Sequence, residues 1–211
     1  MINKILSAVI EKRLIKTTKS FISEQIATFA IKIYSLNPKL KIENNKICFM
    51  SYDSKYMCNP KYIAEEIVHQ NLPWDLVWIT GKDISTFPFY VRTVKKKTFK
   101  AVHEALTAKV WIDNSINFPF NSIPKRKEQY YFETWHGSLG IKRVGKNDVK
   151  NKNWVKMAEK CGKLTDFCIS NSTFEDTVYR ETYWKKQKLL KYGHPRNDPL
   201  FNAEKLLEAK R

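Results

Sequence analysis

Six glycines and four cysteines are few for 211 residues. With so little glycine no Gly-rich loop that wraps phosphates is encoded. Cys48, Cys58, Cys161 and Cys168 form no C-x-x-C pair, which removes zinc ribbons and dithiol redox motifs. Three of them lie in apolar or strand-like surroundings, and the set reads as reduced, buried thiols in a reducing compartment. Carboxylates are also short, 21 Asp+Glu against 38 Lys+Arg, and none pair in a metal-ligand pattern. The chain is therefore expected to use no metal and no cofactor. Long hydrophobic runs are missing too. Charge breaks the apolar residues of the N-terminus every few positions, as in neither a signal peptide nor a spanning helix. There is no internal repeat, low-complexity linker, helix-turn-helix or RNP-like pattern.

What is abundant is positive charge. A formal net charge of +17 calls for a polyanionic partner: nucleic acid, an anionic membrane, or a phosphate-bearing substrate. The 12 Phe, 10 Tyr and 6 Trp would suit a platform for single-stranded nucleic acid. However, Trp78, Trp111 and Phe167 sit inside strand-like runs, where core packing is the better account. Nucleic acid is the less favoured partner.

Residues 1–35 carry a helical rhythm. Ile2, Ile5, Leu6, Val9 and Ile10 share one face, and Phe21, Ile22, Ile26, Phe29, Ala30 and Ile33 repeat it before Asn37-Pro38. Lys12, Arg13, Lys16 and Lys19 lie between them. Such a basic amphipathic segment either lies in the interface of an anionic bilayer or packs on the core. From Lys46 the pattern alternates. Strands are expected over 46–51, 75–80, 91–94, 109–114, 129–135, 166–170 and 188–192. Helices are expected over 59–70, 98–108, 153–163 and 172–183, with Asn59-Pro60 and Ser172-Thr173-Phe174-Glu175 as starts. Short continuous apolar strands alternating with helices predict an α/β, Rossmann-like parallel sheet with helices on both faces. The predicted organisation is a helical segment over 1–40, a Rossmann-like domain over 41–200, and the opening of a further helix over 201–211.

Ligands of such sheets bind beyond the carboxyl ends of the strands. His136, Asn114, the 170–172 stretch and Gly193-His194 all fall there. His136 lies between Trp135 and Gly137 at a strand-to-loop junction, where an imidazole either accepts a proton from an attacking hydroxyl or simply holds the loop. The cations that follow, Lys142 and Arg143 first, either bind phosphate or form a solvated face. In Gly193-His194-Pro195-Arg196-Asn197-Asp198, Arg196 and Asp198 are natural partners for each other, and the segment also reads as a structural corner.

Three stretches together carry a resemblance: Thr134-Trp135-His136-Gly137-Ser138-Leu139-Gly140-Ile141-Lys142-Arg143, Asn59-Pro60-Lys61-Tyr62-Ile63 upstream, and Gly193-His194-Pro195-Arg196-Asn197-Asp198 downstream. In this order and spacing they resemble the CDP-glycerol glycerophosphotransferase family of teichoic-acid primases and polymerases. The resemblance covers residues 45 to 200. It implies a two-domain, GT-B-like enzyme, peripheral to the cytoplasmic face of the cell membrane. Such enzymes move glycerol phosphate from CDP-glycerol to a lipid-linked teichoic-acid acceptor and release CMP. It puts His136 in the place of a catalytic base. It suggests Trp135, Gly137, Ser138, Lys142, Arg143, Asn171, Ser172, Arg196 and Asp198 as substrate-binding residues. Ser138 and Leu139 depart from the Thr and Pro common in the family. The chain resembles the acceptor-side half only, with CDP-glycerol expected through a second domain or chain and little activity without it. The alternative is a basic, non-catalytic binding module for membrane, teichoic polymer or nucleic acid.

Overall fold

The computed structural model describes residues 34–37, 39–81, 84–117, 123–137 and 152–201. The amphipathic pattern of residues 1–33, the cationic stretch 138–151 and the segment 202–211 lie outside these. The chain falls into two compact units, residues 1–40 and 41–211. In the first, the described residues form a helical turn at Tyr34–Ser35, after which the Asn37 N–H donates to the Tyr34 carbonyl at 3.1 Å.

The second unit is built on a seven-stranded sheet in the order β3-β2-β1-β4-β5-β6-β7, every neighbouring pair parallel. The strands are β1 (Glu43–Phe49), β2 (Asp75–Thr80), β3 (Arg92–Lys95), β4 (Ala108–Asp113), β5 (Tyr130–Glu133), β6 (Phe167–Ile169) and β7 (Lys188–Leu190). The helices are α1 (Cys58–His69), α2 (Phe99–Thr107), α3 (Lys152–Leu164) and α4 (Thr173–Glu181). From β1 the chain moves outward through β2 to β3, then returns to place β4 on the other side of β1. The order reverses between β1 and β4, and the crevice at their carboxyl ends is where such folds receive ligands.

Both faces of the sheet are covered, and β1 shows how. Ile47 and Phe49 point into a core with Ala64 of α1, Leu76, Trp78, Val91 and Ile112. The alternate residues face α2: Lys46 Nζ reaches Thr107 Oγ1 at 2.9 Å. This period-2 split explains why the strands read as continuous apolar runs. Each large side chain buried this way contributes about 1.5–3 kcal/mol. Lys46 is the exception to the apolar rule, 2% exposed and bound to Glu104 Oε2 at 2.9 Å and Glu43 Oε1 at 2.6 Å. Burial works against its charge, but the two carboxylates outweigh it and raise its pKa.

Trp78 and Trp111 are fully buried. Trp78 stacks near Phe49 with centroids 5.3 Å apart, and Trp111 donates its indole N–H to the Ala105 carbonyl at 2.6 Å. They are core residues and offer no stacking platform. Among the described residues, no helix is long and apolar enough to cross a membrane.

Candidate active site

Strand β5 ends earlier than its apolar run. After Glu133 the Thr134 N–H still reaches the Asp113 carbonyl of β4 at 2.7 Å. Trp135 then turns left-handed, with φ 48°. That turn delivers His136, half-buried, to the carboxyl end of the sheet. Its Nδ1 lies 2.6 Å from the carbonyl oxygen of Asn114, the first residue after β4. A carbonyl can only accept, so Nδ1 carries the hydrogen and the lone pair of the neutral ring sits on Nε2. Tyr52, from the turn after β1, stacks on the imidazole with centroids 5.2 Å apart, and its N–H donates to Asn114 Oδ1 at 2.7 Å. The ends of β1, β4 and β5 thus meet at one histidine, beside the point where strand order reverses.

Beneath it lie two acids in register on adjacent strands, Asp113 and Glu133. The Asp113 carboxylate accepts from the N–H groups of Asn114 at 2.8 Å and Ser115 at 3.1 Å, and from Asn117 Nδ2 at 2.6 Å. Burial nevertheless pushes its pKa up to about 6, with these hydrogen bonds acting in the opposite sense. Glu133 is pushed well above the carboxylate range by burial first and by the neighbouring Asp113 second. Among the described residues, Asn114 Nδ2 and Glu133 Oε2 are buried without a hydrogen-bond partner.

A buried network ties the downstream corner to this loop, and Asn59 is its centre. Asn59 is fully buried at the start of α1. Its Nδ2 donates to the carbonyls of Thr134 and Trp135, both at 2.9 Å, and lies 3.1 Å from His194 Nδ1. Because that amide nitrogen can only donate, His194 Nδ1 accepts, and His194 Nε2 donates to Glu175 Oε1 at 3.3 Å. Glu175 Oε2 accepts from the Asn171 N–H at 2.5 Å. Burial disfavours the Glu175 charge, but the bonds from His194 and Asn171 outweigh it and lower its pKa. Arg196 completes the junction. Its backbone N–H reaches Asn59 Oδ1 at 3.3 Å, and its Nη1 donates to the His136 carbonyl at 2.9 Å and lies 3.4 Å from Cys58 Sγ.

The residues expected to bind substrate therefore separate into groups. Arg196 joins His136 directly. Trp135 is buried, packed edge-on against Trp184 with centroids 5.1 Å apart. Gly137 follows closely: a Cβ there would come within 3.0 Å of Trp135 Nε1. Ser172 caps α4, its Oγ accepting from the Glu175 N–H at 3.2 Å, and Asn171 adjoins the Gly193 corner, where φ is 82°. Asp198 is exposed. The expected Arg196–Asp198 pairing is not formed among the described residues. The guanidinium turns to the His136 carbonyl and the Cys58 thiol instead. Ser138, Lys142 and Arg143 lie outside the described residues. Asn114 is legible from its place after a strand; Asn59, Glu133 and Glu175 are the members of the site that sequence reasoning missed. Of these, only Asn59, in its helix-opening Asn-Pro pair, carried a usable signal.

Comparison with known proteins identifies a family and a shared fold. The family described as CDP-Glycerol:Poly(glycerophosphate) glycerophosphotransferase matches residues 32–210. The teichoic acid poly(glycerol phosphate) polymerase of Bacillus subtilis strain 168 is 25% identical over 91% of this chain, which covers 27% of the relative. That of Bacillus spizizenii strain W23 is 29% identical over 85% of this chain, covering 49% of the relative. The chain thus spans about a quarter to a half of the curated relatives it matches. A solved structure of the wall teichoic acid polymerase TagF superposes with a TM-score of 0.72, 21% identity and 93% of this chain covered, against 50% of TagF. A TagF variant soaked with CDPG gives a TM-score of 0.72 at 20% identity, covering 92% of this chain and 52% of the other. At such identities these superpositions establish a shared fold.

Proposed function

The chain belongs to the CDP-Glycerol:Poly(glycerophosphate) glycerophosphotransferase family, and from that premise we propose that it is the acceptor-side half of an enzyme that extends teichoic acid. The reaction is transfer of glycerol phosphate from CDP-glycerol to a hydroxyl of a membrane-linked acceptor. The donor site is supplied by a further domain or a second chain. The observation that carries this reading is the 2.6 Å contact from His136 Nδ1 to the Asn114 carbonyl. It sets the neutral imidazole in the form that a general base requires.

The chemistry follows. The acceptor hydroxyl gives its proton to His136 Nε2 as its oxygen attacks the β-phosphorus of CDP-glycerol. The new P–O bond forms as the bond to CMP breaks, and CMP leaves with the electron pair. Arg196, anchored beside His136, adds fixed positive charge near the transferring phosphoryl group. Positioning and electrostatics supply most of the acceleration. Work at the cytoplasmic face of the membrane, peripherally bound, suits a net charge of +17 and a lipid-linked acceptor.

The test is CMP release together with acceptor extension. With a donor-binding half, CDP-glycerol and a lipid-linked acceptor, both products are expected. Their absence rules the reading out, and robust turnover by the 211-residue chain alone refutes the division into halves.

A further inference from the structure

A bulky aromatic residue in the left-handed region is an outlier that costs about 1–3 kcal/mol and persists only where its surroundings over-determine it. Trp135, φ 48°, is held at both of its backbone groups. Its N–H donates to Glu133 Oε1 at 2.9 Å, and its carbonyl accepts from Asn59 Nδ2 at 2.9 Å. Both holders are deeply buried, Asn59 at 0% and Glu133 at 1% exposure. Glu133 has one acceptor atom engaged by that N–H while Oε2 meets no partner among the described residues. A buried carboxyl with so little compensation is expensive, and what it holds is the turn that precedes His136. An extended residue at 135 would carry position 136 onward along the line of β5. The left-handed one brings it across to β4, where Nδ1 meets the Asn114 carbonyl.

We propose that Glu133 and Asn59 are positioning residues for His136: by clamping Trp135 left-handed they fix the imidazole tautomer, hydrogen on Nδ1 and lone pair on Nε2. The proposal rests on the reading of His136 as the base, yet its test reads the ring itself and not turnover. Burial and the neighbouring Asp113 favour a neutral Glu133, so glutamine can replace it and still accept the Trp135 N–H.

The experiment is two-bond 1H–15N spectroscopy of His136 in the intact chain above its titration, comparing Glu133→Gln, Glu133→Leu and Asn59→Asp. Asn59→Asp keeps the acceptor for the Arg196 N–H and loses both donors to the Thr134 and Trp135 carbonyls. The wild type and Glu133→Gln are expected to show the Nδ1–H tautomer. In Glu133→Leu and Asn59→Asp its ratio to the Nε2–H form should fall about tenfold, the worth of one buried hydrogen bond. A wild-type ratio in either folded variant overturns the proposal. So does a shifted ratio in Glu133→Gln, which decides the matter even if the other two fail to fold. Absent glycerol-phosphate transfer with these tautomer shifts intact would refute the proposed function and leave the clamp standing.

Discussion

Replacing Glu133 by glutamine should change how stability depends on pH, in a direction fixed by burial. In the fold burial, and then the charge of Asp113, raise its pKa well above its ordinary 4.5 and so favour the neutral form. In the unfolded chain it ionises normally. Between the unfolded and folded values, unfolding therefore releases a proton, and wild-type stability falls as pH rises. The stabilisation is fully present below pH 4.5 and is lost as pH climbs toward the folded pKa. Each pH unit between the unfolded and folded values corresponds to about 1.4 kcal/mol. Glutamine does not titrate. Glu104 and Glu175 respond alike in both proteins and cancel in the difference. Urea unfolding followed by far-ultraviolet circular dichroism at pH 5, 6, 7 and 8 measures the stability difference directly. Wherever the pH lies between the unfolded and folded values, the curve should move in favour of Glu133→Gln by about 1.4 kcal/mol per pH unit. A difference that stays flat across the series would mean that Glu133 is charged in the fold, and the burial argument would be wrong.

Three further outcomes are expected. Lys46→Met leaves Glu104 buried with one cation fewer and should cost about 3 kcal/mol, read as a lowered urea midpoint with an unchanged slope. Gly162→Ala places a Cβ 2.5 Å from the Tyr183 carbonyl oxygen, a backbone atom that cannot swing away, and should cost about 1–3 kcal/mol in thermal or urea unfolding. Arg196→Ala removes the bond from Nη1 to the His136 carbonyl. Amide exchange near His136 should then quicken by about tenfold, with little change in the distant strands β2 and β3.

The sheet was legible because its central strands β1, β2 and β4 are largely buried and so appear as apolar runs. Asp75–Thr80 coincides with its run from end to end. Misreadings fall where the chain leaves the ladder. The run 129–135 is long enough for seven strand residues, yet β5 covers only Tyr130–Glu133, because Trp135 turns left-handed and hydrophobicity alone does not record φ. Strand β7 stops at Leu190, two residues before its run ends, as the chain approaches the left-handed Gly193. His136 and Arg196 stood out by residue type and position after strands. Asn59 stood out only as a helix opening and not as a site residue, since its work is done on residues 75, 76 and 135 positions away. Nor could sequence reveal that Lys46, inside an apolar run, is buried against Glu104. Burial of a charge depends on a partner brought close only by the fold.

Glycerol-phosphate transfer by His136→Ala, beside the unaltered protein, under conditions where the unaltered protein extends a lipid-linked acceptor, tests the central claim most directly. A general base contributes about 10²–10⁴-fold. A loss of at least about a hundredfold in turnover is therefore expected, with the sheet intact by circular dichroism. Turnover within a few-fold of the unaltered protein would contradict it.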